Sequence, residues 1–143
     1  MLVPADERIR IESELETTMK IPDTLKYSTD HEWIRVEGDV ATIGITDFAQ
    51  DALGDVVFVE LPDVGSATTN GEAISEVEST KSVSDIVAPV SGTIASVNEA
   101  LDADPTALNT DPYGDGWICS ITMTDPGQLD DLLDAEAYKA LTE

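Results

Sequence analysis

The chain has 143 residues, 30 acidic side chains against seven basic ones, and a formal net charge of −23. Binding to nucleic acid or to an anionic membrane needs clusters of Lys and Arg, so this charge excludes both classes of function. Apolar residues make up 41% of the chain and recur in regular patterns, which favours one folded domain over disorder.

The amino-terminal part differs from the rest. Residues 1–18 are more charged than the sequence that follows and carry only a weak helical pattern. Met19 then begins a stretch that resembles the start of a protein, so the preceding residues are a mis-assigned start, a tail or a short helix. We therefore predict an N-terminal extension at residues 1–20 and a domain at residues 21–143.

From residue 33 onward the pattern is mostly that of short strands. Apolar and polar residues alternate in segments that are bounded by turn residues, and these predict strands at 33–36, 40–45, 56–60, 73–78, 83–87, 93–97 and 117–123. A three-residue connection, Glu37-Gly38-Asp39, is typical of a hairpin between the first two. Thr46 predicts the N-cap of a short helix at 47–53, which Gly54 ends. The sequence therefore predicts a mostly β fold.

The carboxyl-terminal residues change to a helical period. Asp125 is a candidate N-cap with Pro126 at the first helical position, and leucines recur at helical spacing from Leu129 to Leu141. This pattern predicts one helix or a broken pair of helices. We expect this segment to cover an edge or a face of the β core.

Lys81 is the most informative single residue. It lies in EVESTKSVSD, residues 76–85, between two predicted strands, and therefore at the tip of a hairpin. The ordinary interpretation is an exposed turn lysine. The chain has only four lysines, however, and Gly71 and Gly92 lie at nearly equal distances on either side, which favours a presented and functional amine.

Several ordered blocks around this lysine resemble the H proteins of the glycine cleavage system. The resemblance runs from about residue 22 to the C-terminus. It is carried by Leu25-Lys26-Tyr27, His31-Glu32-Trp33, ATIGITDFAQDALGDVVFVELP at 41–62, VESTKSVSDIVAPVSG at 77–92, DPYGDGW at 111–117 and LLDAEAY at 132–138. The length and order of these blocks make the resemblance far more specific than a Glu-Ser-x-Lys pattern alone.

The resemblance implies a fold, a cofactor and partners. The fold would be a barrel-sandwich hybrid, as in lipoyl and biotinyl domains, with the hairpin lysine, Lys81, bound to lipoate through an amide. The chain would be a non-catalytic carrier that takes the aminomethyl group of glycine from a pyridoxal-phosphate decarboxylase to a folate-dependent aminomethyltransferase. Dihydrolipoamide dehydrogenase and a lipoate-attaching enzyme would be its other partners.

The resemblance also implies roles for two carboxylates. Glu32 and Asp85 match family positions near the cleft that receives the loaded arm, where they would pair with its amine; the alternative for each is an ordinary solvated acid. A lone histidine is usually structural, so we predict that His31 packs beside Trp33 rather than orienting Glu32. Cys119 is predicted to be a buried structural thiol on one face with Trp117, and one Cys with one His gives no zinc site.

Other functions fit the residues less well. A biotin domain would flank its lysine with methionines, whereas Thr80 and Ser82 flank Lys81. A lipoyl domain of a 2-oxoacid dehydrogenase would lack the His31-Glu32-Trp33 block and the C-terminal helix. A hydrolase would need a nucleophile with a base and a Gly-x-Ser-x-Gly turn, and the sequence has no such set. An H-like protein for lipoate relay or sulfur metabolism stays open.

The acid load itself predicts an environment. Molar salt shortens the Debye length to about 3 Å and removes most of the self-repulsion of such a charge. This favours a salt-rich cytoplasm, as in a halophilic archaeon, over an ordinary acidic protein. We find no apolar run of about 18 residues and no secretory signal, so we expect a cytoplasmic protein.

Overall fold

Nine strands form two sheets in the computed structural model, which describes residues 20–142. The strands are β1 (Lys26–Tyr27), β2 (Glu32–Glu37), β3 (Val40–Ile45), β4 (Val56–Glu60), β5 (Ala67–Thr68), β6 (Ala73–Ser79), β7 (Val83–Val87), β8 (Gly92–Val97) and β9 (Cys119–Met123). The helices are α1 (Asp47–Leu53), α2 (Ala100–Ala103), α3 (Ala107–Thr110) and α4 (Ala135–Thr142), with a 3-10 helix at Pro126–Asp131. The predicted extension at 1–20 lies outside the described residues except for Lys20, so that domain boundary stays a prediction.

The two sheets enclose the main core. The larger sheet has the strand order β1-β2-β3-β9-β8-β5, and the smaller has the order β4-β6-β7. Alternate residues of each strand point inward, so Ile43 and Ile121 of the larger sheet and Val59 and Val77 of the smaller one are buried in one apolar cluster. Cys119 belongs to this cluster and is fully buried, as predicted.

The predicted strands are all present, and the differences lie at their ends. Glu37 pairs with Val40, so the first hairpin has a two-residue turn at Gly38-Asp39 and the predicted three-residue connection was wrong by one residue. Gly38 takes a φ of 63°, which is the left-handed conformation that such a tight turn needs. The last strand begins at Cys119 rather than at Trp117.

Trp117 therefore does not share a face with Cys119. It packs against a second, smaller apolar cluster made by Leu25, Tyr27, Trp33 and Tyr138. This cluster joins the first strands to the C-terminal helix. The predicted common face of Trp117 and Cys119 was thus wrong, because the strand begins only at Cys119 and Trp117 lies before it.

The C-terminal segment is a broken pair of helices, one of the two arrangements that the sequence predicted. The Asp125 side chain accepts a hydrogen bond from the Gly127 N–H at the start of the 3-10 helix. Leu133 then forms a bridge with Tyr27 of β1, the terminal strand of the larger sheet. The segment therefore covers a sheet edge that would otherwise leave its backbone groups unpaired.

Gly44 makes room for the largest buried side chain. A Cβ built on Gly44 would lie 2.6 Å from the indole ring of Trp33, which is directly opposite on β2 and fully buried. We expect Gly44→Ala to lower the free energy of unfolding by about 1–3 kcal/mol, because the indole has no free space to enter. Urea unfolding measures this loss. A free energy of unfolding that stays at the wild-type value would contradict this close contact.

Candidate functional site: the Lys81 hairpin and the neighbouring cleft

The hairpin between β6 and β7 holds Lys81 at its tip, as predicted. The Ser79 N–H donates to the Ser82 carbonyl at 2.8 Å, and the Ser79 hydroxyl oxygen accepts from the Ser82 N–H at 3.0 Å. The Thr80 N–H donates to the carbonyl of Asp55, just before β4, at 3.0 Å. These bonds fix the tip to its own strands and to the next strand of the sheet, while Lys81 itself is exposed.

The stem of Lys81 lies above the end of helix α1. A Cβ built on Gly54 would lie 3.2 Å from the Lys81 Cε and 3.8 Å from its Nζ. Gly54 has a φ of 84°, so a glycine here both ends the helix and leaves space for the lysine stem. Thr46 caps the other end of α1 by accepting from the Ala49 N–H, as predicted.

A cleft of about 250 Å³ adjoins the hairpin. Residues 82–86 of the hairpin and β7 form one wall. The opposite wall is formed by α1 and by the open end of the β2–β3 hairpin, away from its turn. His31, Phe48 and Leu53 are among its side chains. Because β7 is a terminal strand of the smaller sheet, its free edge faces this space. Asp85 is exposed and lines this cleft, and its predicted contact with a loaded arm stays a prediction.

His31 forms part of the cleft wall and is held on two sides. Its ring stacks on Phe48 with the centroids 4.8 Å apart, and its Nδ1 lies 2.8 Å from the Tyr138 hydroxyl. The backbone of His31 has a φ of 69°, which is uncommon for a residue other than glycine. Burial lowers the pKa of His31 below its ordinary value. The ring therefore packs on Phe48 and Tyr138, and the predicted packing beside Trp33 was wrong.

Tyr138 joins the C-terminal helix to the cleft, a role that the sequence analysis did not assign. Its hydroxyl lies 2.7 Å from the Thr46 Oγ1 as well as next to His31, and its ring stacks on Tyr27 with centroids 4.7 Å apart. A tyrosine at a buried position of a helix usually finds a partner for its hydroxyl, and that was the available signal. The identity of the partners depends on contacts between distant parts of the chain.

Glu32 is buried rather than solvated, and it lies outside the cleft. Its Oε2 accepts from the Val87 N–H at 3.1 Å, and the Ser28 hydroxyl donates to its Oε1. Burial raises the pKa of Glu32 to about 7, against the lowering effect of these two hydrogen bonds. The Glu32 carboxylate lines a separate cavity of about 150 Å³, and Val87 lines the same cavity. The structure therefore does not bring Glu32 and Asp85 together in one cavity, and the solvated alternative for Glu32 is wrong.

Removing the Tyr138 hydroxyl tests the connection between α4 and the cleft. We expect Tyr138→Phe to lower the free energy of unfolding by about 1–3 kcal/mol, because the change leaves half-buried His31 and buried Thr46 without their shared partner. The ring and its stacking on Tyr27 are kept. Urea unfolding gives the free energy. His31→Phe, alone and combined with Tyr138→Phe, completes a double-mutant cycle. An additive cycle would contradict the coupling of the two side chains.

The described residues contain no arrangement of three or more His, Cys, Asp or Glu side chains that could hold a metal ion. Among residues 20–142, no helix has the length and the apolar character needed to cross a membrane. The site brings together one exposed amine, a neighbouring cleft and the carboxylate of Asp85.

Comparisons with known proteins agree with this geometry. The family model described as glycine cleavage H-protein matches residues 25–143. A glycine cleavage system H protein from Micrococcus luteus is 59% identical over 124 residues, which cover 85% of this chain and 97% of that protein. A probable glycine cleavage system H protein from Haloarcula marismortui is 56% identical over 83% of this chain and 94% of its own.

A solved structure confirms the fold. The crystal structure of a glycine cleavage system H protein from Mycobacterium marinum superposes with a TM-score of 0.77 at 48% identity, covering 84% of this chain and 97% of that one. The two sheets thus form the lipoyl-domain-like barrel-sandwich that the resemblance implied. The chain belongs to the glycine cleavage H-protein family, whose members are the lipoyl carriers of glycine cleavage.

Proposed function

We propose that the Nζ of Lys81 is the attachment point of the lipoyl group in this carrier. The observation that supports the proposal is the exposed lysine at a hairpin tip that its own hydrogen bonds hold in place. In the attachment step, the Nζ loses a proton and forms an amide bond with the carbonyl carbon of an activated lipoyl donor. The activating group leaves with the electron pair of the bond that breaks.

The residues around the tip fit a long attached group. Gly54 has no side chain and so leaves space for the Lys81 stem. The adjoining cleft of about 250 Å³ is open to receive the arm. When bound, lipoate supplies a dithiolane whose S–S bond would open by reduction as it takes up the one-carbon unit and would form again by oxidation after the unit has left. This chain's part is to hold the Nζ at a fixed place and to shelter the end of the arm from water.

We further infer that Asp85 contacts the loaded arm in the cleft. Its carboxylate lines that space, and a carboxylate attracts the positively charged amine of the cargo. A direct contact of Glu32 with the arm stays a prediction. Both oxygens of this carboxylate already accept hydrogen bonds from within the chain. Glu32 instead holds the Val87 end of β7 against β2.

The partners follow from this role. We propose that the chain passes the aminomethyl group of glycine from the pyridoxal-phosphate decarboxylase to the folate-dependent aminomethyltransferase in the cytoplasm. Dihydrolipoamide dehydrogenase then restores the arm. The chain itself acts without catalysis in this proposal, because its histidine is engaged by Phe48 and Tyr138 and its cysteine is buried.

Mass spectrometry tests the attachment. The chain is incubated with lipoate, ATP and a lipoate–protein ligase, and its intact mass is recorded before and after. We expect a gain of one lipoyl group, and peptide mapping should place it on the peptide that contains Lys81. A lipoyl group on Lys20, Lys26 or Lys139, or no gain by the intact folded chain, would overturn the proposal.

We also propose that the protein is adapted to a salt-rich cytoplasm, as in a halophilic archaeon. The support is the net charge of −23 on 143 residues, which salt would screen. We expect the midpoint of thermal unfolding to rise steadily from dilute buffer to multimolar potassium chloride. A midpoint that does not change with salt would contradict this adaptation.

A further inference from the structure

Three exposed apolar side chains lie next to the Lys81 hairpin. The large apolar residues that are most exposed among residues 20–142 are Val36, Val57, Phe58, Val64, Val83 and Leu141. Val57, Phe58 and Val83 all belong to the smaller sheet and are 53%, 50% and 54% exposed. Half of these residues therefore lie on the sheet whose hairpin presents Lys81, and Val83 is two residues from it.

The register of the smaller sheet aligns two of these side chains, Phe58 and Val83. Phe58 of β4 pairs with Glu78 of β6, and Glu78 pairs with Val83 of β7. Paired residues of antiparallel strands point to the same face. Phe58 and Val83 therefore lie on the outer face with Glu78 between them, while the next row, Val59, Val77 and Ser84, points inward.

A row of carboxylates follows on the same outer face. Glu60 pairs with Glu76, and Glu76 pairs with Asp85, so three acids lie side by side across the three strands. Like charges directly opposite one another destabilise a sheet, and this arrangement contributes nothing favourable to the fold. Cations on a docked partner would relieve the repulsion. We call the two rows together the outer strip: Phe58, Glu78 and Val83 with Glu60, Glu76 and Asp85.

We propose that the outer strip is the docking surface for the enzyme that acylates Lys81. The partner surface would have an apolar centre for Phe58 and Val83, flanked by Lys or Arg side chains for the carboxylate row. This inference rests on the proposed function, in which Lys81 is the lipoyl lysine. It adds the surface by which one lysine is chosen over Lys20, Lys26 and Lys139.

Geometry separates this partner from the others. The attaching enzyme acts on the Nζ itself, so its surface must touch the sides of the hairpin that carries the lysine. The other enzymes act on the far end of the arm, which reaches one lipoyl length from the Nζ once it extends out of the cleft. An apolar and acidic surface directly beside the tip therefore fits the enzyme that must reach closest to it.

The test compares rates of lipoylation. The unmodified chain is the varied substrate of a purified lipoate–protein ligase with lipoate and ATP, and intact mass follows the product. We expect Phe58→Ser and Val83→Ser each to lower kcat/KM about 10-fold, as for truncation of a central interface residue. Val64→Ser and Leu141→Ser are matched controls, since these residues are 61% and 49% exposed outside the strip, and should leave the rate unchanged.

The outcomes separate the two proposals. Failure of the wild-type chain to be lipoylated at all would overturn the proposed function. Normal lipoylation of the wild type together with unchanged rates for both strip variants would overturn only the docking inference. Equal losses for the control variants would overturn it too, and a thermal midpoint that matches the wild type shows that each variant is folded.

A second measurement tests the choice of partner. Phe58→Ser is lipoylated to completion by long incubation and then assayed as carrier in reconstituted glycine cleavage. We expect the rate of the wild type, because the arm is already in place. A carrier defect in this fully lipoylated variant, with attachment unaffected, would assign the strip to another enzyme and overturn the inference.

Discussion

Lys81→Arg is expected to abolish both lipoylation and carrier activity. The guanidinium group stays protonated at any accessible pH, so it offers no free amine for the amide bond. Length and charge are nearly kept at an exposed tip, and we therefore expect the fold to be unchanged. Without a tethered arm, the reaction loses the effective concentration, on the order of mM for short flexible linkers, that attachment provides.

The measurement is glycine cleavage by the reconstituted partner enzymes, with each carrier variant first treated with the ligase. Lys139→Arg is the matched control, because Lys139 is also an exposed lysine but lies on α4. It should be lipoylated and should support cleavage like the wild type. Cleavage above background with Lys81→Arg would show that the arm is carried elsewhere.

The second large effect is a dependence of stability on pH that comes from Glu32. The ordinary pKa of this carboxyl is 4.5, and burial raises it to about 7 in the folded chain. The folded state therefore holds a proton that the unfolded state has released between these two values. Stability from this group is fully present below about pH 4.5 and is lost as the pH rises to about 7.

The size of the effect follows from the shift. At 1.36 kcal/mol for each pKa unit, we expect the wild type to lose about 3 kcal/mol of unfolding free energy across this range relative to Glu32→Gln. The glutamine is the proper reference because its amide oxygen can accept from the Val87 N–H while its amide N–H donates to Ser28. It thus resembles the protonated acid but does not titrate.

Urea unfolding of both proteins from pH 4.5 to 8 in molar potassium chloride measures the difference. The salt suppresses repulsion among surface carboxylates, which would otherwise add its own dependence. Glu37→Gln, at an exposed position of the same strand, serves as the control and should track the wild type. A difference between wild type and Glu32→Gln that stays flat, or that favours the wild type as pH rises, would contradict the burial of a protonated Glu32.

Local signals were enough to predict most of the β architecture. Strands such as Val40–Ile45 and Val56–Glu60 have their own alternation, and helix α1 has its cap at Thr46 and its end at Gly54. The hairpin around Lys81 was predictable for the same reason. Strands β1 and β5 are only two residues long, too short for any period to be detected, and the structure alone reveals them.

The parts of the site that were missed depend on contacts across the chain. Glu32 is buried where it accepts from the Val87 N–H, 55 residues away, and the residues around Glu32 do not reveal this contact. The Tyr138 hydroxyl meets His31 across 107 residues. Likewise, the alignment of Phe58 with Val83 follows from strand register, which the pattern of each single strand leaves open.

The position of Cys119 has a consequence for the sulfur chemistry of a dithiol carrier. This residue is the chain's only cysteine, and its side chain has no exposed surface, with burial raising the pKa of its thiol to about 12. Exchange between thiols and disulfides proceeds through an accessible thiolate. The protein therefore keeps its own sulfur out of reach of the arm, so mixed disulfides within one molecule are avoided and maleimide labelling of the folded, reduced carrier reports on the arm alone.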